Sequence, residues 1–418
     1  MAGWAERLAG QAALLGTGMS VLYVSHGHPA FAKGGGELAA WRLFDAFRSK
    51  PGFEGSGFLA AASSPDQLPA GSELLGLGPD DWLIKRSTSP ITHDTAVDLS
   101  ESSQLHQALV GRNFQIIHLH HYLHVGIDLV FALKRWFPQA KLLLTLHDYW
   151  GPCVFEGRLL RASGELCSGG DPVSCDQCLG GGRRGELAIR SLRLQRMFAL
   201  IDHLLCPSFF LKQRYLEWGA DPRGISVIEN LPALEDSMLL PAQPALRKAL
   251  VVGFFGQVNP WKGLELLIDA VRLVQDLGVV VQLEVNGADQ PDDEANPGVQ
   301  FNGSYEPHQL AERLARVDVV AMASSWYENS PMVIQEAFLH GRPVVAPRLG
   351  GMAEKISDGQ TGVLVEPGSA MAMAGALRRL ADQPGFLAVL QQGVKRSISK
   401  RSDSERGHAQ LYRRLMNC

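Results

Sequence analysis

The chain has 418 residues, of which 46% are hydrophobic and 20% are charged. This composition is ordinary for a soluble globular protein, and the length favours two domains, each with its own hydrophobic core. The formal net charge of -4 argues against a nucleic-acid-binding protein, because such proteins usually carry a large basic excess.

The N-terminal region lacks the features of a targeting segment. Residues 1–18 include Glu6 and Arg7 and have no long apolar core, so we interpret them as a short helix or an irregular start. No apolar run in the chain reaches the roughly 20 residues needed to span a bilayer. We therefore expect a cytoplasmic protein, whose cysteines are reduced and act as metal ligands or core residues.

The first half of the chain alternates apolar runs with helical patterns. Strands are predicted at 20–27, 114–121, 141–146, 203–208 and 225–228, and helices at 34–50, 126–137 and 185–201. The strands are apolar on both faces, which is typical of a parallel sheet covered by helices on both sides. Residues 151–182, rich in cysteine and glycine, interrupt the pattern and are interpreted as an inserted loop.

A second series of strands and helices follows a proline-containing linker at 232–248. Strands are predicted at 249–256, 279–286, 299–301, 318–323, 343–347 and 362–365, and helices at 263–277, 307–317 and 331–340. This order predicts a doubly wound parallel sheet in each half. We expect domains at 1–235 and 248–385 that face a cleft, and a helical tail at 386–418 that packs back toward the first domain.

The most informative motif is WYENSPMVIQE at 326–336, which runs from a strand end into a helix. Asn329 or Ser330 suits the N-cap of that helix. The free backbone N–H groups near Met332 and Val333 would then face the cleft and bind phosphate.

Two glutamates of the same segment suit a sugar nucleotide. Glu336 lies one to two turns into the helix, where its carboxylate can accept hydrogen bonds from ribose hydroxyls, and Glu328 precedes the helix, near the sugar. The alternative is a pair of solvent-exposed charges. Apolar neighbours such as Ile334 and Phe338 favour a buried setting for Glu336.

The segment GQVNPWKG at 256–263 lies between a predicted strand and a predicted helix. Gly256 allows a ligand to approach the backbone closely, and Lys262 adds a positive charge at the start of a helix. Together they suit a diphosphate. A solvated loop lysine is an equally weighted alternative.

These segments resemble the retaining GT-B glycosyltransferases of family four, also called glycosyl transferases group 1. The two glutamates, the run AFLHGRPVVA at 337–346, GGMAE at 350–354 and DGQTGVLV at 358–365 carry the likeness. It is continuous from about 251 to 368 and looser in the first half.

The resemblance implies an α/β fold of the GT-B type, with two Rossmann-like domains facing a cleft. It implies transfer of a sugar from a UDP- or GDP-sugar to a glycan or lipid-linked acceptor in cell-surface polysaccharide biosynthesis, with retained configuration and no metal for catalysis. Lys262 would bind the diphosphate, Glu328 the sugar and Glu336 the ribose. The family often has arginine where Gln257 stands, so one charge-assisted contact, worth about 1.5–3 kcal/mol, is absent.

A glycine loop in the first half resembles another part of the family. Gly34, Gly35 and Gly36 precede a helix, and with Glu37 they are similar to the family's loop near the donor phosphates and the acceptor. A plain turn is the alternative.

Four histidines, His118, His120, His121 and His124, lie at or just after a predicted strand. His120 best matches the family's cleft histidine, and we assign it a hydrogen bond near the transferred sugar. A metal site is disfavoured because adjacent strand residues point to opposite faces.

The inserted loop carries Cys153, Cys167, Cys175 and Cys178, whose closing C-x2-C pair is typical of zinc sites. We predict a structural zinc site beside the cleft. Two disulfides or unpaired thiols are the alternatives.

The helix after the insertion, with its leading turn, carries Arg183, Arg184, Arg190, Arg193 and Arg196. These residues suit a peripheral contact with anionic lipid at the inner face of the membrane. A solvated helix face is the alternative.

Two other functions stay open. One is a GT-B hydrolase, epimerase or phosphorylase that uses the same cleft. The other is a nucleotide-sugar-binding subunit without transferase activity, which the neutral Gln257 favours.

Overall fold

The structure is a computed structural model that describes residues 18–32, 34–89, 91–232, 249–289, 297–397 and 401–417. The predicted irregular start lies outside these residues, as does nearly all of the predicted linker. Within them, no helix is long and apolar enough to cross a bilayer.

Fourteen strands are present among the described residues, and they form two sheets. The strands are β1 (Val21–Ser25), β2 (Gly57–Ala61), β3 (Leu74–Gly78), β4 (Asp81–Ile84), β5 (Ile116–Leu119), β6 (Lys141–Thr145), β7 (His203–Cys206), β8 (Ile225–Val227), β9 (Leu250–Phe255), β10 (Val281–Asn286), β11 (Val299–Phe301), β12 (Val319–Ala321), β13 (Val344–Pro347) and β14 (Gly362–Val365). The first sheet has the order β3-β4-β2-β1-β5-β6-β7-β8 and the second the order β11-β10-β9-β12-β13-β14.

Helices cover both sheets. They are α1 (Gly35–Arg48), α2 (Gln104–Val110), α3 (Ile127–Trp136), α4 (Pro172–Cys178), α5 (Arg184–Phe198), α6 (Phe209–Trp218), α7 (Leu264–Asp276), α8 (Leu310–Arg316), α9 (Met332–Leu339), α10 (Gly350–Lys355), α11 (Ala370–Asp382), α12 (Pro384–Arg396) and α13 (Arg401–Met416). The predicted strands and helices are present, most of them slightly shorter than expected. The strands β2, β3 and β4 and the helices α2, α6, α10 and α11 were not predicted, and the inserted loop contains the helix α4.

Each sheet has a hydrophobic core on both faces because its central strands are apolar at successive positions. In β1, Leu22 enters one core and its neighbour Tyr23 enters the other. In β9, Val252 and Val251 divide in the same way. All strand pairs are parallel except β3 with β4. The carboxyl ends of all strands except β3 therefore point to one edge of their sheet.

The last helix, α13, lies against the first sheet. Its residues Leu411, Tyr412 and Leu415 belong to the hydrophobic core that also contains Tyr23. The Tyr412 hydroxyl is 2.7 Å from Nδ1 of His118, which is buried in β5. One face of the first sheet is therefore completed by the far end of the chain.

The two domains also touch through the start of helix α6. Glu354, at the end of α10 in the second domain, accepts hydrogen bonds from the backbone N–H groups of Phe209 and Phe210, both at 2.8 Å. These N–H groups have no partner within their own helix, so a carboxylate from the other domain satisfies them. The ring of Phe210 also packs against that of Tyr327 of the second domain, with 4.9 Å between the ring centres and the planes tilted by 37°.

Candidate active site

A cleft of about 730 Å³ lies between the two domains. Eleven of the residues predicted to bind the donor or to form the glycine loop line it, namely Gly34, Gly35, Gly36, Gly256, Gln257, Lys262, Glu328, Ser330, Met332, Val333 and Glu336. The cleft therefore brings together, from both halves of the sequence, the residues singled out by their motifs.

Lys262 and Glu328 form an ion pair in the cleft, with Nζ donating to Oε1 at 2.6 Å. The same carboxylate oxygen accepts from the Ser324 hydroxyl at 2.9 Å and from the Trp326 indole at 3.0 Å. Burial alone would raise the pKa of Glu328, but the charge of Lys262 and these hydrogen bonds outweigh it and lower the pKa. Glu328 is therefore a fixed anion, oriented by three donors.

The loop that carries Lys262 is shaped by local contacts. Asn259 caps the short turn Pro260–Lys262 by accepting from the backbone N–H groups of Trp261 and Lys262, at 3.0 and 3.1 Å. The next residue, Gly263, has a φ of 69°, and a Cβ there would overlap the carbonyl oxygen of Ala323. Glycine is required at this position, because any side chain would push Lys262 away from the cleft.

Glu336 lies on α9 and is buried. Burial raises the pKa of its carboxyl group, although Arg42 and Lys355 act in the opposite direction. Its Oε1 lies 3.9 Å from the guanidinium of Arg42, a residue of α1 in the first domain. The apolar setting expected for this glutamate is present.

The start of α9 differs from the predicted cap. Pro331 is the N-cap residue, and neither Asn329 nor Ser330 caps the helix with its side chain. Asn329 instead accepts a hydrogen bond from the Ser208 hydroxyl of the first domain at 3.1 Å. Pro331 has no backbone N–H and therefore cannot donate a hydrogen bond at this position. The first N–H groups of the helix, around Met332, are thus left without a side-chain cap beside the cleft, as a phosphate site needs.

The glycine loop lies opposite the start of α9. A Cβ on Gly35 would be 3.7 Å from the Met332 side chain, and one on Gly36 would be 2.9 Å from the ring of His26. Gly34 is the N-cap of α1 and has no side chain with which to cap it. Gly36 therefore gives room to His26 within the first domain, whereas Gly35 lies at ordinary contact distance from the second domain.

The histidine of the cleft is His147 and not His120. His120 is 2% exposed and does not line the cleft, and its Nδ1 is 3.0 Å from Nε2 of His147, which does line it. Burial, followed by the charge of His26, lowers the pKa of His147 to about 3, so the imidazole is neutral near pH 7. His120 lies behind His147, and its predicted hydrogen bond near the transferred sugar stays a prediction.

The other predicted histidines have structural contacts. His118 bonds to Tyr412 and, through Nε2, to the Thr145 hydroxyl at 2.7 Å. His121 Nε2 lies 2.7 Å from Asp148 Oδ2, and Asp148 lines the cleft next to His147. The sequence reasoning missed His147 and Asp148, although they come two and three residues after the end of strand β6, at the sheet edge where ligands of such folds bind.

The four cysteines of the insertion are free thiols. Burial raises the pKa of Cys175 to about 11, and Cys153, Cys167 and Cys178 contribute in the same direction, so the four thiols lie in one region. Within the described ranges, no group of three or more His, Cys, Asp or Glu side chains is arranged to hold a metal ion. The zinc site stays a prediction.

The insertion also reaches the second domain. Gly157 lines the cleft, and the guanidinium of Arg158 lies 5.2 Å from the centre of the Trp261 ring. Trp261 immediately precedes Lys262, so the insertion lies beside the predicted donor loop.

Two arginines predicted to face lipid are engaged inside the protein. Arg190 is buried and donates to the carbonyl oxygens of Trp150 and Gly151, and Arg193 pairs with Asp94 and Asp128. These two residues already have protein partners, and the membrane contact stays a prediction. Arg183, Arg184 and Arg196 are exposed.

Two family models match consecutive parts of the chain. The model described as Glycosyltransferase Family 4 matches residues 60–231, and the one described as Glycosyl transferases group 1 matches residues 249–383. The chain has the GT-B fold of glycosyltransferases. The predicted fold class is confirmed, and the two matches fall on the two GT-B domains.

Solved structures share this GT-B architecture over nearly their whole length. HepE from Anabaena, solved in complex with UDP, has a TM-score of 0.63 and 17% identity and covers 94% of this chain and 99% of its own. Sucrose-phosphate synthase from Thermosynechococcus elongatus has a TM-score of 0.64 and 18% identity and covers 95% and 99%. At these identities the likeness concerns the fold alone.

Curated relatives of the GT-B chain include D-inositol 3-phosphate glycosyltransferases. The enzyme from Rhodococcus jostii is 28% identical over 58% of this chain and 57% of its own length. The enzyme from Salinispora arenicola is 29% identical over 68% of this chain and 64% of its own length. The chain therefore spans less than two thirds of the length of these relatives.

Proposed function

We propose that this chain is a retaining glycosyltransferase that moves a sugar from a UDP- or GDP-sugar to a glycan or lipid-linked acceptor in cell-surface polysaccharide biosynthesis. The observation that carries the proposal is the pairing of Lys262 with Glu328 at 2.6 Å in the same cleft as Glu336 and the uncapped start of α9. Cation, helix start and two carboxylates are the groups that a nucleoside diphosphate sugar needs.

In the proposed reaction, the bond between the anomeric carbon and the diphosphate oxygen breaks. Lys262 and the N–H groups at the start of α9 stabilise the charge that develops on the departing diphosphate. The acceptor hydroxyl attacks from the same face, and its proton leaves on the diphosphate oxygen. Glu328 holds the sugar hydroxyls, Glu336 the ribose and His147 the sugar on the side of the first domain.

A covalent intermediate is not part of the proposal. Of the carboxylates that line the cleft, Glu328 is held by three donors. Asp148 is held by His121 at 2.7 Å and by the backbone N–H of Trp150 at 2.9 Å. We therefore assign these carboxylates to positioning, and no nucleophile is assigned.

The test combines binding and transfer. UDP-sugars and GDP-sugars are screened by thermal shift, and those that bind are assayed for transfer to glycan and lipid-linked acceptors. Glu328→Gln should lower the transfer rate by about 10- to 100-fold, the range for one hydrogen bond to a charged group. Glu312→Gln, whose side chain is 70% exposed on α8, is the matched control. Full activity of Glu328→Gln would contradict the proposal.

A second candidate is a nucleotide-sugar-binding subunit without transferase activity. The neutral Gln257 lines the cleft and favours it, because the diphosphate there has one cation fewer than the family pattern provides. This candidate would be favoured if a sugar nucleotide binds without transfer to any acceptor, and if Glu328→Ala changes neither the binding nor the transfer that is measured.

We also propose that the four cysteines hold a structural zinc ion, with Cys175 and Cys178 as the closing pair. The support is their C-x2-C spacing and their grouping in one insertion beside the cleft. Zinc is measured in the protein purified under reducing conditions, and a Cys175→Ser, Cys178→Ser double variant should lose one equivalent. A wild-type protein without stoichiometric zinc contradicts this proposal.

For location, we propose the cytoplasm, with a peripheral contact at the inner face of the membrane. Ile189 and Leu192 are 54% and 51% exposed on α5, and Arg184 and Arg196 of the same helix are also exposed. Co-sedimentation with anionic liposomes should fall for a Leu192→Asp, Arg196→Glu variant but not for Arg378→Glu in the second domain. Equal co-sedimentation of the wild type, the Leu192→Asp, Arg196→Glu variant and Arg378→Glu would refute the contact.

A further inference from the structure

An arginine of the first domain lies beside the predicted donor-binding residues of the second. Arg42 is on α1, and its guanidinium is 3.4 Å from the Met332 sulfur and 3.9 Å from Glu336 Oε1. The side chains of Arg42 and Glu336 are 13% and 11% exposed. Arg42 lines the cleft but belongs to none of the motifs assigned above.

The position of Arg42 on its helix is the second observation. Gly35 and Arg42 are seven residues apart, so they lie on the same face of α1, about two turns from each other. Both approach Met332, the first residue of α9. The same face of α1 therefore presents a glycine backbone and a guanidinium to the helix start that is expected to hold phosphate.

The charge balance of the cleft is the third observation. Among the described residues that line the cleft, the carboxylates outnumber the cationic side chains. The carboxylates are Asp148, Glu306, Glu328 and Glu336, and the cationic side chains are Arg42 and Lys262. Lys262 is already paired with Glu328. A diphosphate entering this cleft meets an excess of negative charge, and Arg42 is the second cation able to offset it.

We propose that Arg42 binds the diphosphate of the donor, so that the first domain and the second each supply one cation to it. This assignment rests on the proposed function. An arginine guanidinium has five N–H donors in one plane, enough to contact a carboxylate and a phosphate together. Arg42 can therefore keep Glu336 oriented toward the ribose while it holds the phosphate. Donor binding then ties the two domains together.

The experiment compares ligands that do and do not carry the diphosphate. Calorimetry measures the binding of UDP and uridine, and of GDP and guanosine, to the wild type and to Arg42→Gln. The variant should bind the preferred nucleoside diphosphate about 10- to 100-fold more weakly, as expected for one lost charge-assisted contact. Binding of the nucleoside, which loses only the support that Arg42 gives to Glu336, should weaken by a clearly smaller factor. Arg48→Gln, on the same helix with a 52% exposed side chain, is the control.

Two further variants separate charge from packing. Arg42→Lys keeps the charge but not the planar fork, so its affinity should lie between those of the wild type and Arg42→Gln. Adding Gln257→Arg to Arg42→Gln places a cation on the opposite wall of the cleft and should recover part of the lost affinity for the diphosphate. Thermal unfolding of each variant checks that it is folded.

The outcomes are distinguishable. Equal losses for nucleoside and nucleoside diphosphate would mean that Arg42 only positions Glu336, and the assignment would be overturned. Undiminished diphosphate binding by Arg42→Gln would overturn it as well. A wild-type protein that binds neither UDP nor GDP would instead overturn the proposed function itself.

Discussion

Removing Lys262 should make the stability of the second domain depend on pH in a predictable direction. In the wild type, burial raises the pKa of Glu328, but the charge of Lys262 together with the hydrogen bonds from Lys262, Ser324 and Trp326 outweighs it, so the pKa is lowered. A carboxyl group with a lowered pKa stabilises the fold above its unfolded pKa, and this contribution disappears as the pH falls. In Lys262→Met burial is no longer offset by the cation, so we expect the pKa of Glu328 to rise above that of an ordinary glutamate. Its ionisation then costs stability as the pH rises.

The magnitude follows from the burial of the pair. Breaking a buried ion pair costs about 3–5 kcal/mol, and because Ser324 and Trp326 still hold the Glu328 carboxylate and the Lys262 side chain is 26% exposed, we expect about 2–3 kcal/mol. Thermal unfolding is followed at pH 4, 6 and 8. The difference in Tm between wild type and Lys262→Met should be smallest at pH 4 and should grow to several degrees at pH 8.

The control for this series is Lys395→Met, because Lys395 is exposed on α12 and no change with pH is expected there. A destabilisation of Lys262→Met that is constant from pH 4 to pH 8, or that shrinks as the pH rises, would refute the reasoning. It would mean that packing of the lysine stem, and not its charge, supports the loop.

Three further predictions concern single positions. Gly263→Ala should lower the Tm and weaken nucleoside diphosphate binding, because a left-handed backbone at a residue other than glycine costs about 1–2 kcal/mol or more. The control is Gly375→Ala on α11, where the space around the Cβ is open, and it should stabilise the protein by up to about 1 kcal/mol. The NMR signal of His147, assigned with His147→Gln, should not titrate between pH 5 and 8, because burial keeps its pKa near 3; a midpoint near pH 6.5 would contradict this. Glu354→Gln should weaken the cap that the Glu354 carboxylate forms on the start of α6 and lower the local stability there by about 0.5–2 kcal/mol, so proteolysis near this helix start should be faster. An unchanged cleavage rate would contradict this role of Glu354.

The parts of the fold that sequence reasoning found share one physical property. Strands such as β1 and β9 are buried on both faces, so a continuous apolar run marks them. β3 (LLGLG) is an exposed antiparallel edge strand with two glycines, and its residues carry no such run. The helix α4 inside the insertion is only one to two turns long, and Asp171 caps its start. Asp171 followed by Pro172 is a local signal for a helix start, but we interpreted the segment from its cysteine spacing and missed it.

The residues that we predict to bind the donor could be picked out from the sequence because they lie in two short segments, and they line the cleft. The part contributed by the first domain was not, because its residues come from separate strand ends. His120 and His147 both follow parallel strands, and only the three-dimensional arrangement decides which one reaches the cleft. Arg42 had no local signal at all, since its neighbour Met332 lies 290 residues further along the chain.

The docking of α13 on the first sheet bears on how the protein is made. A ribosome synthesises the chain from its N-terminus at about 5–20 residues per second, so the core around Tyr23 stays open on one side until the last helix emerges, roughly ten seconds or more after β8. Leu411, Tyr412 and Leu415 then cover it. The core of the first domain is therefore completed only after the second domain has been synthesised, and one apolar face of it stays uncovered during that interval.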